Sequence, residues 1–208
     1  VSTTYHFDRQ IRRGVEVLQA GGVIAFPTET YYGLGVDPFN QAALKKLFQI
    51  KKRAAHLPIL VLVENIAQAG QLAELPLPAT FTRLSAKFWP GPLTLICKAH
   101  DHLPRELTGY TDSIGMRQSS NAIARQLVSC FGKPVTATSA NISGHVAAVN
   151  ASQVAAIFSD TIDYIVDGDE TPGGKGSTLV RCEEDSIECI RNGALDFSLI
   201  AASLKQYM

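Results

Sequence analysis

This 208-residue chain has no excess of charge of either sign, with 19 Lys plus Arg against 19 Asp plus Glu. Zero net charge gives no global case for a nucleic-acid binder, which ordinarily carries a basic domain. Only local basic runs remain: Arg12-Arg13, Lys45-Lys46 and Lys51-Lys52-Arg53. No run approaches the ~20 apolar residues of a membrane span, so no membrane partner is expected. Val1 to His6 lack the basic start and apolar core of a secretory signal, and a cytoplasmic location is the expectation. The cysteines, at 97, 130, 182 and 189, include no CxxC pair and read as core thiols rather than a disulfide framework or zinc set.

Familiar catalytic signatures are missing as well. No G-x-G-x-x-G follows the first strand, and the stretch Gly168 to Thr178 fails as a P-loop because Gly174 stands where the lysine is needed. Ser139 has no G-x-S-x-G elbow. His100-Asp101-His102 lies in a Pro-containing loop and reads as solvent-exposed rather than metal-binding.

What is present is an alternation of helix-period segments and short apolar runs. Ile11, Val15 and Leu18 share a helical face stopped by Gly21-Gly22. Strand Val23–Phe26 opens into a Thr/Gly loop, and Asn40 caps a helix with Leu44, Leu47 and Phe48 on its apolar face. Further strands are predicted at Ile59–Val63, Leu93–Cys97, Ser113–Arg117, Val135–Thr138, Ile162–Val166, Ser177–Cys182 and Ile187–Ile190. Helices are predicted around Phe81–Phe88, around Ile123–Cys130, after Ser152 as cap, and at Leu199–Leu204. Strands crowd together in the last third. This predicts an α/β fold with a twisted mixed sheet and packed helices, in one domain spanning 1–208.

Three polar clusters carry the chemistry. If the backbone is extended after a helix ending near Ile50, Lys51 and Arg53 point the same way, a point charge and a bidentate fork for phosphate; a solvated basic helix end is the plain alternative. Ser139-x-Asn141, beyond a strand end, offers a hydroxyl and a carboxamide to phosphate oxygens or a purine edge, and Ser143-Gly144 lets backbone N–H groups approach an anion. A turn would use the same residues. In Thr28-Glu29-Thr30, between Pro27 and the glycines Gly33 and Gly35, Thr30 and Glu29 suit a small polar substrate, with a capping box as the plain alternative.

In order, Pro27-Thr28-Glu29-Thr30-x-Tyr32-Gly33-Leu34-Gly35, Lys51-x-Arg53, Trp89-Pro90-Gly91-Pro92-x-Thr94, Ser113-x-x-x-Arg117, Thr138-Ser139-Ala140-Asn141-x-Ser143-Gly144, Ser177-Thr178 and Arg191-x-Gly193 closely resemble the YrdC/Sua5 family of L-threonylcarbamoyladenylate synthases, from about residue 8 to about 195. The resemblance implies a twisted α/β fold with a concave basic groove. It implies formation of threonylcarbamoyl-AMP and pyrophosphate from L-threonine, bicarbonate and ATP, for N6-threonylcarbamoyladenosine in tRNA. It also implies a transfer machinery as partner, with tRNA or double-stranded RNA as a further possible one. By position, Lys51, Arg53, Ser139 and Asn141 match the family's catalytic set; Arg53, Ser113, Ser139, Asn141, Ala147 and Arg191 match ATP-contacting positions. Thr30, Arg117, Ala137 and Ser177 match the threonine site. Mg²⁺ is expected with ATP, without a dedicated protein site.

The chain departs from the family pattern at Ala54, Leu57 and Leu62, where proline, asparagine and histidine are usual. Two other readings therefore stay open. One is a paralogue of the same fold that binds or hydrolyses nucleotides or acyl-adenylates. The other is a double-stranded RNA-binding module.

Overall fold

The computed structural model describes residues 2–158 and 160–204, with side chains from Asp8 onward in the first helix. Helix α1 (Ser2–Gln19) ends where Gly21 takes up φ +79°, a conformation that spares glycine the Cβ clash other residues meet. Its face Ile11, Val15 and Leu18 is buried against α6 (Ala122–Phe131), whose buried residues are Ala124, Leu127, Val128 and Phe131. The face thus runs between 127/128 and 131, which leaves Cys130 exposed. The predicted core set of thiols is corrected accordingly: Cys97 and Cys182 are buried, Cys189 is half-buried and Cys130 faces outward.

Strand β1 (Ile24–Pro27) is followed at once by β2 (Tyr32–Gly35), antiparallel to it with Phe26 opposite Gly33 and Ile24 opposite Gly35. The sequence reading had all of 28–35 as loop; only Thr28–Tyr31 is. The second strand escaped notice because Tyr-Gly-Leu-Gly has low strand propensity, and packing compels it. A Cβ on Gly35 would stand 2.6 Å from the Phe26 ring and 2.9 Å from the Thr136 carbonyl, whereas one on Gly33 would meet nothing nearer than 3.7 Å.

Helix α2 (Gln41–Lys51) is capped by Asn40, whose side chain accepts from the Ala43 N–H, as predicted. Then come β3 (Val61–Leu62), α3 (Ile66–Ala69), α4 (Ala79–Phe88), β4 (Leu93–Lys98), α5 (Arg105–Thr108) and β5 (Ser113–Arg117). The predicted strand 135–138 is two strands: β6 (Val135–Thr136) and β7 (Thr138–Ser139). Helix α7 (Ala151–Phe158) is capped by Asn150, which accepts from Gln153, rather than by Ser152. Strands β8 (Tyr164–Ile165), β9 (Thr178–Cys182) and β10 (Ile187–Arg191) and helix α8 (Phe197–Leu204) complete the order.

The fold class is α/β with mixed sheets, but two of them rather than one. A four-stranded sheet has the order β7-β2-β1-β8, and a six-stranded sheet the order β10-β9-β4-β5-β3-β6. Each combines parallel and antiparallel pairs: β1 is parallel to β8, while β4 is parallel to β9 and antiparallel to β5. The chain crosses from one sheet to the other at Ala137, whose N–H donates to Leu60. That crossing brings the 28–31 turn, the 139–148 loop and the ends of β5 and β9 to one place.

If Gly35 is held by packing, Gly35→Ala lowers the unfolding free energy by about 1–3 kcal/mol, while Gly33→Ala stays within about 1 kcal/mol of wild type. Urea denaturation of the two variants measures this; equal effects would refute the packing account.

Candidate active site

A cavity of about 670 Å³ opens where the two sheets meet. Its wall includes Thr28, Thr30 and Tyr31 from the β1–β2 turn, Arg53 after α2, Ser113 and Arg117 from β5, and Ala137, Ser139 and Ala147 from the sheet crossing and its loop. Ser177, Arg181 and Arg191 come from β9, β10 and their approach. Nine of the eleven residues singled out in the sequence (Thr30, Arg53, Ser113, Arg117, Ala137, Ser139, Ala147, Ser177 and Arg191) therefore lie in one wall. Four arginines and a series of hydroxyls line it, and among the described residues no carboxylate does. Such a surface favours an anionic ligand.

The other two, Lys51 and Asn141, stand behind the wall. Lys51 is the last residue of α2 and Lys52 adopts φ 49°, so the backbone is not extended there and the expected side-by-side clamp does not form. Lys51 is 1% exposed. Its ammonium donates to the carbonyls of Ser139 and Asn141 and, at 3.1 Å, to Asn141 Oδ1. Its own carbonyl accepts from the Ser143 N–H. Burial, then the nearby Arg53 charge, pull its pKa down to about 7. Arg53 does reach the cavity, steered there by donating from Nε to the Leu57 carbonyl at 3.2 Å and from Nη2 to the Pro58 carbonyl at 2.7 Å.

Asn141 organises the loop. Its Oδ1 accepts from Ser139 Oγ at 2.7 Å and its Nδ2 donates to the His145 carbonyl at 2.6 Å. Ser139 is thereby held at the cavity edge, exposed. Across the cavity, Ser177 Oγ lies 2.8 Å from Thr94 Oγ1, and the Ser177 carbonyl accepts from Arg191 Nε and Nη2 at 3.2 and 2.8 Å. Gly193 permits this: a Cβ there would stand 2.2 Å from the Gly176 carbonyl.

Arg117 is 3% exposed and pairs through Nη1 with Glu29; Ser119 Oγ donates to the other oxygen of the same carboxylate. Among the described residues, Arg117 Nε and Ser143 Oγ are the buried side-chain atoms without a hydrogen-bond partner. Tyr32 is buried, and its hydroxyl accepts from the Gly168 N–H and donates to the Asp169 carbonyl. Desolvation leads the causes that push its pKa up to about 12, so it is an anchor for the 167–177 segment. Tyr31 donates to the Gly174 carbonyl at 2.7 Å on the same segment.

Of the departures from the family pattern, neither leucine lies in the wall. Leu57 is exposed and contributes its carbonyl to Arg53, a contact any residue supplies. Leu62 is fully buried in the α1–α6 core. The sequence reading missed Thr28, Thr94 and Arg181 in the wall and the linking role of Ser119, and its expectation that Glu29 binds a small polar substrate is corrected: Glu29 lies outside the wall with its two oxygens taken by Arg117 and Ser119. Thr28, Glu29 and Thr94 stood inside quoted motifs, but nothing in their spacing told a wall residue from one behind it. The other basic pairs are engaged elsewhere, Arg13 with Glu16 and Lys46 with Asp163.

Comparison with known proteins places these features in a family. The Sua5/YciO/YrdC family, described as "Telomere recombination", matches residues 16–193. A relative from Pyrococcus abyssi, named threonylcarbamoyl-AMP synthase, is 36% identical over 89% of this chain and 54% of its own length. A Vibrio cholerae relative of the same name is 34% identical over 88% of this chain and 97% of its own. The chain thus spans about half the length of the archaeal relative and nearly all of the bacterial one. Among solved structures, P. abyssi Sua5 complexed with L-threonine superposes with a TM-score of 0.89 at 35% identity, over 93% of this chain and 57% of that one.

Lys51→Met removes the donor to three oxygens and is expected to cost about 3 kcal/mol and to speed amide exchange at 139–148. The sign of its pH effect is also fixed. A folded pKa near 7 lies below the unfolded ~10.4, so the unfolded chain holds the extra proton between them. Wild-type stability therefore gains up to ~1.4 kcal/mol per pH unit between about pH 7 and 10, a slope that Lys51→Met lacks. Parallel denaturation curves across that window for both proteins would contradict it.

Proposed function

The chain belongs to the Sua5/YciO/YrdC family, and we propose that it is an L-threonylcarbamoyladenylate synthase. The observation that carries the reading is the cavity wall: Arg53, Arg117, Arg181 and Arg191 with hydroxyls between them, and no carboxylate among the described lining residues. ATP and the amino acid both bring negative charge, and about 670 Å³ accommodates them together. The near full-length relative from V. cholerae carries the name of this activity, which supports assigning it to a chain of this extent.

In this reading the neutral threonine amine attacks bicarbonate, with loss of water, or CO₂, with loss of a proton, to give the N-carboxylate. That carboxylate attacks the α-phosphorus of ATP, and pyrophosphate leaves. No protein nucleophile is needed. Arg53 and Arg191 stabilise charge spreading over the phosphate oxygens, Ser139 supplies a hydroxyl at the same edge, and Arg117 receives the amino-acid carboxylate. Thr30 and Ser177 hold the amino acid, and Ser113 and the backbone of Ala147 contact the nucleotide. Lys51 and Asn141 act by fixing the loop that carries Ser139. The wall does not fit a protein-held Mg²⁺, since arginines and hydroxyls make no cage for a hard cation, and no step is assigned to the metal. The product is a mixed anhydride, and a transfer machinery acting on tRNA would consume it.

Incubation with ATP, Mg²⁺, bicarbonate and L-threonine is expected to release pyrophosphate and yield an adenylate of the corresponding mass, dependent on both threonine and bicarbonate. Ser139→Ala and Arg53→Ala are expected to lower kcat/KM by about 10²-fold. ATP binding without threonine-dependent turnover would replace this reading with that of a nucleotide-binding paralogue.

A further inference from the structure

Every residue of the Thr28–Tyr31 turn lies in the cavity wall except Glu29. Its side chain is 12% exposed and both of its oxygens are engaged, Oε1 by Arg117 Nη1 and Oε2 by Ser119 Oγ. A carboxylate so committed has no oxygen to offer a ligand as its first choice. It joins three pieces of chain: the β1–β2 turn, the end of β5 at Arg117, and Ser119, two residues further on, which leads into α6. Each piece is fastened independently. The turn is closed by Thr28 Oγ1 donating to the Tyr31 carbonyl and by Thr28 N–H donating to the same oxygen. Ser119 Oγ also accepts from the N–H of Asn121, which in turn caps α6.

The consequence falls on Arg117. A guanidinium that is 3% exposed requires a counter-charge, and burial does draw its pKa down while Glu29 opposes this; it stays the cation. Nη1 is taken by Glu29, yet Nε is buried with no acceptor among the described residues. An unmade bond from a buried donor is costly, and the residue that carries it lines the cavity. We infer that Glu29 is a positioning residue: with Ser119 it fixes the plane of the Arg117 guanidinium so that the free donors present one orientation to a ligand carboxylate. The identity of that ligand as L-threonine rests on the function proposed above.

A mere counter-ion and a positioning residue give opposite results on neutralisation. Without Glu29 a counter-ion site gains net positive charge and binds anions at least as well. A positioning site loses the orientation and binds the amino acid worse, with the nucleotide unaffected. The experiment is calorimetric titration of wild type, Glu29→Gln and Ser119→Ala with L-threonine and, separately, with ATP. It is paired with ¹⁵N NMR of the arginine side chains, Arg117 being assigned with Arg117→Lys.

Glu29→Gln is expected to weaken L-threonine at least tenfold and ATP less than twofold, and to merge the resolved Arg117 Nη signals by freeing rotation. Ser119→Ala, which leaves the ion pair in place, is expected to weaken L-threonine about threefold; it decides the matter if Glu29→Gln does not fold. Unchanged or tighter L-threonine binding in both variants, or equal weakening of ATP and L-threonine, overturns the inference. If wild type binds no L-threonine, the proposed function falls. Glu29 is then judged by the Arg117 signals alone, where Nη signals still resolved in Glu29→Gln overturn it.

Discussion

Positive charge at this cavity is held in place by neutral carbonyl oxygens. Arg53 rests on the carbonyls of Leu57 and Pro58, Arg191 on that of Ser177, and Lys51 on those of Ser139 and Asn141. A carbonyl orients a cation and offsets part of its lost hydration without cancelling its charge, whereas a carboxylate would do both. The field of the arginines therefore remains available to whatever enters. Arg117 and Arg181 are the exceptions, paired with Glu29 and Glu188, and both carboxylates lie outside the wall.

This arrangement depends on irregular backbone at the ends of regular elements. Helix α2 stops at Lys51 so that its last side chain turns inward, and the left-handed Lys52 sends Arg53 the other way. The crossing between sheets at Ala137 brings the Ser139 loop over that helix end. Gly193 lets the tail of β10 press against Gly176 and Ser177, which sets Arg191. The sheets supply a rigid frame, and loops at their junction carry the polar groups, the common division of labour in α/β proteins.

The departures from the family pattern are milder in three dimensions than along the chain. A leucine at 57 keeps the backbone acceptor for Arg53, and a leucine at 62 joins the apolar core. Neither places an apolar side chain in the wall, so the cationic character of the cavity is intact.

Much was legible in the sequence because its causes are local. Hydrophobic period marked α1, α2 and α6, Asn40 announced its cap, and motif order identified the family together with nine of the wall residues. The sequence could not separate β2 from a loop, since Gly35 is in a strand only because Phe26 and Thr136 press on it. Nor could it divide 135–139 between two sheets, or tell Lys51 behind the wall from Arg53 in it. Spacing gives the direction of a side chain only where the backbone is regular, and at Lys52 it is not. The types of group in the site were thus determined by the sequence itself. Which of them face the ligand, and which hold the others, was decided by the tertiary structure, because those contacts join residues some 90 positions apart.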